Sequence, residues 1–263
     1  MARSLIGGLI ADGCAPGTLW VTDPDPRPLA ALRERYAVHT TSDNAEAAAA
    51  ADVVVLAVKP QMLKPVVMAL AEAVQKRRPL IISIAAGVRT PAIARWLGAE
   101  VALVRAMPNT PALVASGATA LYATAAVSPA QRALAESILR AVGLTLWLKD
   151  EAQMDAVTAL SGSGPAYFFL VMEALEQAAV NDLGLPRDTA RLLTLQTAFG
   201  AAKMALESAE DAATLRARVT SPGGTTERAI EVLENGRLRA LFAAALAAAR
   251  QRSVELAEWL GEQ

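Results

Sequence analysis

Three runs of branched aliphatic residues constrain this chain more than anything else in it: residues 52–58 (DVVVLAV), 80–85 (LIISIA) and 101–106 (VALVRA). Each is short and too uniformly apolar for a strand with one wet face, so each reads as a strand buried on both faces. Helical spacing fills the intervals, at about residues 28–36, 64–76, 90–97 and 129–142. Residues 19–22 (LWVT), 117–123 and 144–148 supply further short strands, and 107–111 (MPNTP) is a turn. Strand–helix alternation at this spacing predicts an α/β fold, doubly wound, with a mostly parallel sheet and helices on both faces.

The pattern stops near Lys149. Beyond it the spacing predicts helices only, at about 152–160, 165–182, 187–208, 211–218, 226–235 and 238–260. Gly184-Leu185-Pro186 and Ser221-Pro222-Gly223-Gly224 punctuate them. Two domains are therefore expected, a dinucleotide-binding Rossmann-type domain over 1–149 and an all-α domain over 150–263. Residues 168–180 (FFLVMEALEQAAV) and 241–249 (LFAAALAAA) are apolar on more than one face. Such helices call for burial on all sides, which a second copy provides, so a homodimer or larger homo-oligomer is expected.

Composition narrows the partners. With 25 basic and 26 acidic residues the net charge is −1, which gives no reason to expect nucleic acid or an acidic membrane surface. Cys14 is the only cysteine, so no internal disulfide and no cysteine metal site is expected, and a reducing cytoplasm is the default. The longest apolar run, 240–249, lies between Arg239 and Arg250 and is far short of a membrane span. The opening resembles no secretory signal, because Asp12 interrupts its apolar run and no cleavage pattern follows.

The opening itself, MARSLIGGLIADG, has Leu5, Ile6, Leu9 and Ile10 at helical spacing with no strand before them. A doubly wound domain ordinarily begins with a strand, a glycine-rich turn and then such a helix. The G-x-G-x-x-G fingerprint is absent, and Gly7-Gly8 lies inside the helical pattern rather than ahead of it. The expectation is that the first strand and its turn are missing from this sequence. That strand is central in the architecture, and without it its neighbours cannot pair across the gap.

Several stretches together resemble the pyrroline-5-carboxylate reductase family: Ala57-Val58-Lys59-Pro60, 83–88 (SIAAGV), 105–111 (RAMPNTP), 160–167 (LSGSGPAY), Ala201-Ala202-Lys203-Met204 and 219–226 (VTSPGGTT). The matches run the length of the chain, and LSGSGPAY followed by SPGGTT is their most specific part. The resemblance implies a hydride transfer from NADPH, or NADH, to the C=N bond of 1-pyrroline-5-carboxylate, the last step of proline synthesis. It implies that Asn44, Ala57, Val58, Lys59 and Pro60 hold the cofactor, and that Ala85, Ala86 and Gly87 form a small-residue floor for the nicotinamide. Asp23 lies where such folds place a ribose-binding acid, and Arg27 where the extra phosphate of NADP is held.

The resemblance places the substrate at Ser221, Gly223, Gly224, Thr225 and Thr226. Glycines let a backbone approach a ligand, and a helix N-terminus binds anions, which suits the substrate carboxylate. Ser221 and the N–H groups of Gly224 and Thr225 are the expected anchors. Thr226 is the expected catalytic residue, with its hydroxyl against the ring nitrogen. Simple helix capping by Thr225 or Thr226 would also explain the threonines. His39 reads as structural or surface.

Other readings are weaker. Ser163 in SGSG lacks the strand–turn–helix context of a nucleophile elbow. A hydroxy-acid dehydrogenase would want a lysine on the helix after LSGSG, and residues 165–182 contain none. A catalytically impaired homologue acting as a helical oligomer or binding protein is the remaining alternative.

Overall fold

The computed structural model describes residues 1–262. Met1–Ser163, joined by the chain from Ala248 onward, forms one compact unit, and Gly164–Ala247 forms a second.

In the first unit, α1 (Ala2–Ala11) precedes β1 (Trp20–Thr22). α2 (Pro26–Tyr36) starts on Asp25, whose carboxylate accepts from the Arg27 amide, and Ala37 ends it in the left-handed region at φ 56°. β2 (His39–Thr41) runs parallel to β1 with His39 opposite Trp20, and the two rings stack with centroids 4.8 Å apart. His39 is thus a structural ring. α3 (Asn44–Ala50), capped by Asp43, leads into β3 (Val53–Leu56).

α4 (Pro60–Arg77) begins four residues before the expected start, because Pro60 fits the first helical position, where an N–H has no partner to lose. β4 (Leu80–Ser83), α5 (Thr90–Leu97), β5 (Leu103–Met107), β6 (Gly117–Ala123), α6 (Pro129–Arg140) and β7 (Gly143–Trp147) complete the alternation. Ser128 and Gln131 close a reciprocal capping box at the start of α6.

Five strands form one sheet in the order β3-β4-β5-β6-β7, parallel except between β5 and β6. β1 and β2 form a separate two-stranded sheet. Alternation along β4 sends Ile81 to one core cluster, with Leu63, Val67 and Val74 of α4 and Ile93 of α5. Leu80 and Ile82 go to the other, with Leu5 of α1 and Leu139 of α6. Helices therefore cover both faces, as expected of a doubly wound domain.

α7 (Gln153–Val157) continues into a π-helical turn over Thr158–Gly162 that the periodicity does not announce. Side chains of 151–155 are hydrogen-bonded to Thr90, Arg105 and Ser253, so this stretch packs within the first compact unit, which runs to Ser163.

The second unit holds α8 (Gly164–Asn181), α9 (Arg187–Glu207), α10 (Ala212–Arg218), α11 (Thr225–Asn235) and the first part of α12 (Leu238–Glu262). Gly184, at φ 70°, turns the chain between α8 and α9. Among the described residues of this unit only Gly164 and Ala190 are buried, while Phe168, Phe169, Leu192 and Phe199 stand exposed. Among the described residues no helix is long and apolar enough to cross a membrane.

Candidate active site

Parallel strands deliver their following loops to one edge, where open α/β sheets hold ligands. β3 and β4 are in register with Leu56 beside Ser83, so the segments after them leave side by side. After β3 come Ala57 and Val58, then the exposed Lys59 at the N-cap of α4 and Pro60 as its first residue. Asn44 opens α3 and lines one cleft together with Ala57 and Val58. After β4, Ala85 is buried, Ala86 half-buried, and Gly87 sits at φ 76°. A Cβ on Gly87 would also press on Leu260 Cδ1 at 3.3 Å, so only glycine serves there. The cofactor-binding set from the sequence thus gathers at one sheet edge, with backbone that a flat ring can approach.

Two carboxylates that the sequence reading did not single out brace this edge. Glu151 accepts from the Thr90 amide at 2.8 Å, the Thr90 hydroxyl at 2.6 Å and Arg105 Nη1 at 2.9 Å. It thereby caps α5, whose own N-cap residue, Arg89, offers no side-chain bond. Asp155, itself buried, accepts from the Ser253 hydroxyl at 2.7 Å and pairs with Arg89 at 3.5 Å. The loop after β4 is therefore held at its exit by α7 and backed by α12. One signal was available: Arg105 lies in an otherwise apolar strand, and a buried arginine requires an acid. Asn109 has a similar role, accepting from the Ala118 amide at 2.9 Å and donating to the Ser161 carbonyl at 3.2 Å.

Arg27, expected at the extra phosphate of NADP, is paired within its own loop. Its guanidinium binds Asp25, with Nη2 2.6 Å from Oδ2. That contact holds the Asp25 carboxyl below its usual range and pushes Arg27 up. Asp23 accepts from the Asp25 amide at 2.9 Å.

The substrate loop belongs to the second unit. Ser221 is exposed, Gly223 sits at φ 71°, and Gly224 is the N-cap of α11 with no side-chain cap. A Cβ on Gly224 would come within 3.0 Å of the Ser221 carbonyl, a tight contact, and the left-handed backbone of Gly223 favours glycine. Here one expected anchor moves. The Gly224 N–H is already donated to Ser221 O at 3.0 Å, and the Gly223 N–H to Glu227 Oε2 at 2.7 Å. The first-turn amides of Thr225 and Thr226, at the positive end of the helix, are the donors that remain for an anion. Neither threonine side chain acts as the cap.

Comparison with known proteins settles the family. A pyrroline-5-carboxylate reductase of Pseudomonas aeruginosa is 55% identical over 262 residues, spanning 100% of this chain and 95% of that protein. The chain belongs to the pyrroline-5-carboxylate reductase family. The Escherichia coli reductase is 38% identical over 98% of this chain and 95% of its own length. The dimerisation domain of pyrroline-5-carboxylate reductases matches residues 151–256 of this reductase. Residues 1–87 match the family described as coenzyme F420-dependent NADP oxidoreductases. The solved reductase of Coxiella burnetii superposes with a TM-score of 0.93 at 53% identity, covering 97% of this chain and 94% of that one. The Plasmodium falciparum enzyme, solved with NADP bound, gives 0.85 at 28% identity, with the same two coverages.

Proposed function

We infer that this protein reduces the C=N bond of 1-pyrroline-5-carboxylate with NAD(P)H and releases L-proline, the closing step of proline synthesis. The observation that carries this reading, within the family already established, is the N-terminus of α11. It has no side-chain cap and follows a tight turn in which Gly223 takes left-handed backbone, so an anionic substrate group is its natural partner.

The reduced nicotinamide supplies the hydride that adds to C5 of the ring. Ala85, Ala86 and Gly87 give it a floor without bulky side chains, and Glu151 and Asp155 keep that floor in place. Lys59 faces cofactor phosphate or ribose, and Asn44 the adenosine side. The amides of Thr225 and Thr226, with Ser221, hold the substrate carboxylate, and the Thr226 hydroxyl holds the ring nitrogen. A cyclic imine takes up a proton near neutrality by itself, so the residues need only position it and exclude water. No metal ligand set enters this scheme. NADPH is the proposed donor, with NADH as the alternative; a ribose phosphate would have to draw Arg27 from Asp25. The working form is a homodimer or larger homo-oligomer built through the helical unit, in the cytoplasm.

The test is consumption of NADPH on addition of pyrroline-5-carboxylate, with proline measured as product. Stoichiometric proline is the expected result. Protein that binds NADPH tightly yet forms no proline would overturn the reading in favour of a binding protein.

A further inference from the structure

Glu227, in the first turn of α11, bonds to backbone outside its own helix. The turn ahead of α11 closes on its inner side through the Gly224 N–H, which is donated to Ser221 O at 3.0 Å. The outer side is Gly223, exposed and left-handed at φ 71°. Its N–H is donated to Oε2 of the half-buried Glu227 at 2.7 Å. This is not ordinary capping. A glutamate at the third helical position usually reaches back to the N-cap N–H. Here the N-cap is Gly224 and its N–H is already bonded, so Glu227 reaches one residue further and ties the turn from outside. The tie matters because two successive glycines open many backbone conformations to this loop. Where only a fraction of the molecules hold the binding shape, affinity falls by that fraction.

We propose, resting on the substrate site inferred above, that Glu227 is a positioning residue for the substrate. As the acceptor for the Gly223 N–H it holds the loop in the shape that aims the Thr225 and Thr226 amides at the substrate carboxylate. It acts through the backbone rather than by contact with the reacting atoms. The acceptor oxygen, not the negative charge, carries the role. An acid in a first turn also complements the helix dipole, but that function needs the charge.

Steady-state kinetics of Glu227→Ala and Glu227→Gln in the intact oligomer test this, with Gly223→Ala as the reference. Glu227→Ala should raise the substrate KM about 10-fold or more, the effect of losing one hydrogen bond to a charged group, while the NADPH KM and kcat stay within about twofold. Glu227→Gln keeps a carbonyl oxygen that accepts from Gly223, and should hold the substrate KM within about twofold of the unsubstituted protein. An unchanged substrate KM in Glu227→Ala, with a raised one in Gly223→Ala, would overturn the role of Glu227 and leave the substrate loop in place. Unchanged values in both would overturn the substrate site and this role together. Glu227→Gln as impaired as Glu227→Ala would assign the effect to charge and overturn the proposal, as would an equal rise in the NADPH KM.

Discussion

In the sheet unit Leu63, Val67, Ile82 and Leu121 are fully covered by their own chain, whereas in the helical unit Phe168, Phe169, Leu192 and Phe199 are each more than 60% exposed. The two halves are similarly rich in aliphatic residues, so the difference lies in geometry. A sheet with helices on both faces closes its own core. A set of helices apolar nearly all round, with Ala190 as its one buried apolar side chain among the described residues, is half of a core and is closed by another copy. The match of residues 151–256 to a dimerisation domain agrees with that division of labour.

The contrast can be tested by substitution, starting where the effect is largest. Glu151→Ala leaves Arg105 buried without its acid, and should cost about 3–5 kcal/mol in urea unfolding, independent of protein concentration. Leu63→Ala should cost about 2–5 kcal/mol, likewise independent of concentration. Phe168→Ala should behave differently. At a residue exposed in the single chain, a monomeric protein would lose less than about 0.5 kcal/mol. An interface between copies predicts about 2 kcal/mol or more, appearing as dissociation on dilution. A small, concentration-independent loss for Phe168→Ala would break the comparison.

Within the helical unit, Thr226→Ala should lower kcat roughly 10-fold or more while NADPH affinity stays unchanged, the effect of losing a hydrogen bond to a charged nitrogen. Unchanged turnover would remove Thr226 from the mechanism. Gly223→Ala forces a side chain into the left-handed region at about 1–2 kcal/mol, and should raise the substrate KM about 5–30-fold with little change for NADPH. The smallest effect is on pH. The Thr214 amide, which donates to the Asp211 carboxylate, lowers its pKa in the folded chain. The stabilisation of α10 is therefore present above the unfolded value and is lost as pH falls below about 4. Asp211→Asn should flatten that acid limb in a circular-dichroism titration.

Much of this was legible in the sequence. Long β-branched runs located β3 to β7, and helical spacing located α8 to α12, each within a few residues. β2 and α3 were not legible. His39–Thr41 is too short to show alternation, and NAEAAAA has no apolar stripe distinct from its other faces. At the site, the glycine turns after β4 and before α11 were legible, since Gly87 and Gly223 take left-handed backbone that glycine favours. The bracing by Glu151 and Asp155 did not, because a carboxylate's partners lie 46 to 98 positions away in sequence.

The central claim is a hydride transfer from cofactor to imine, and isotope tracing tests it most directly. The protein from its natural source, supplied with NADPH deuterated at the transferable position and with pyrroline-5-carboxylate, should yield L-proline carrying one deuterium at C5 for each NADPH consumed. Proline without the label, or NADPH bound and left unconsumed, would contradict the account.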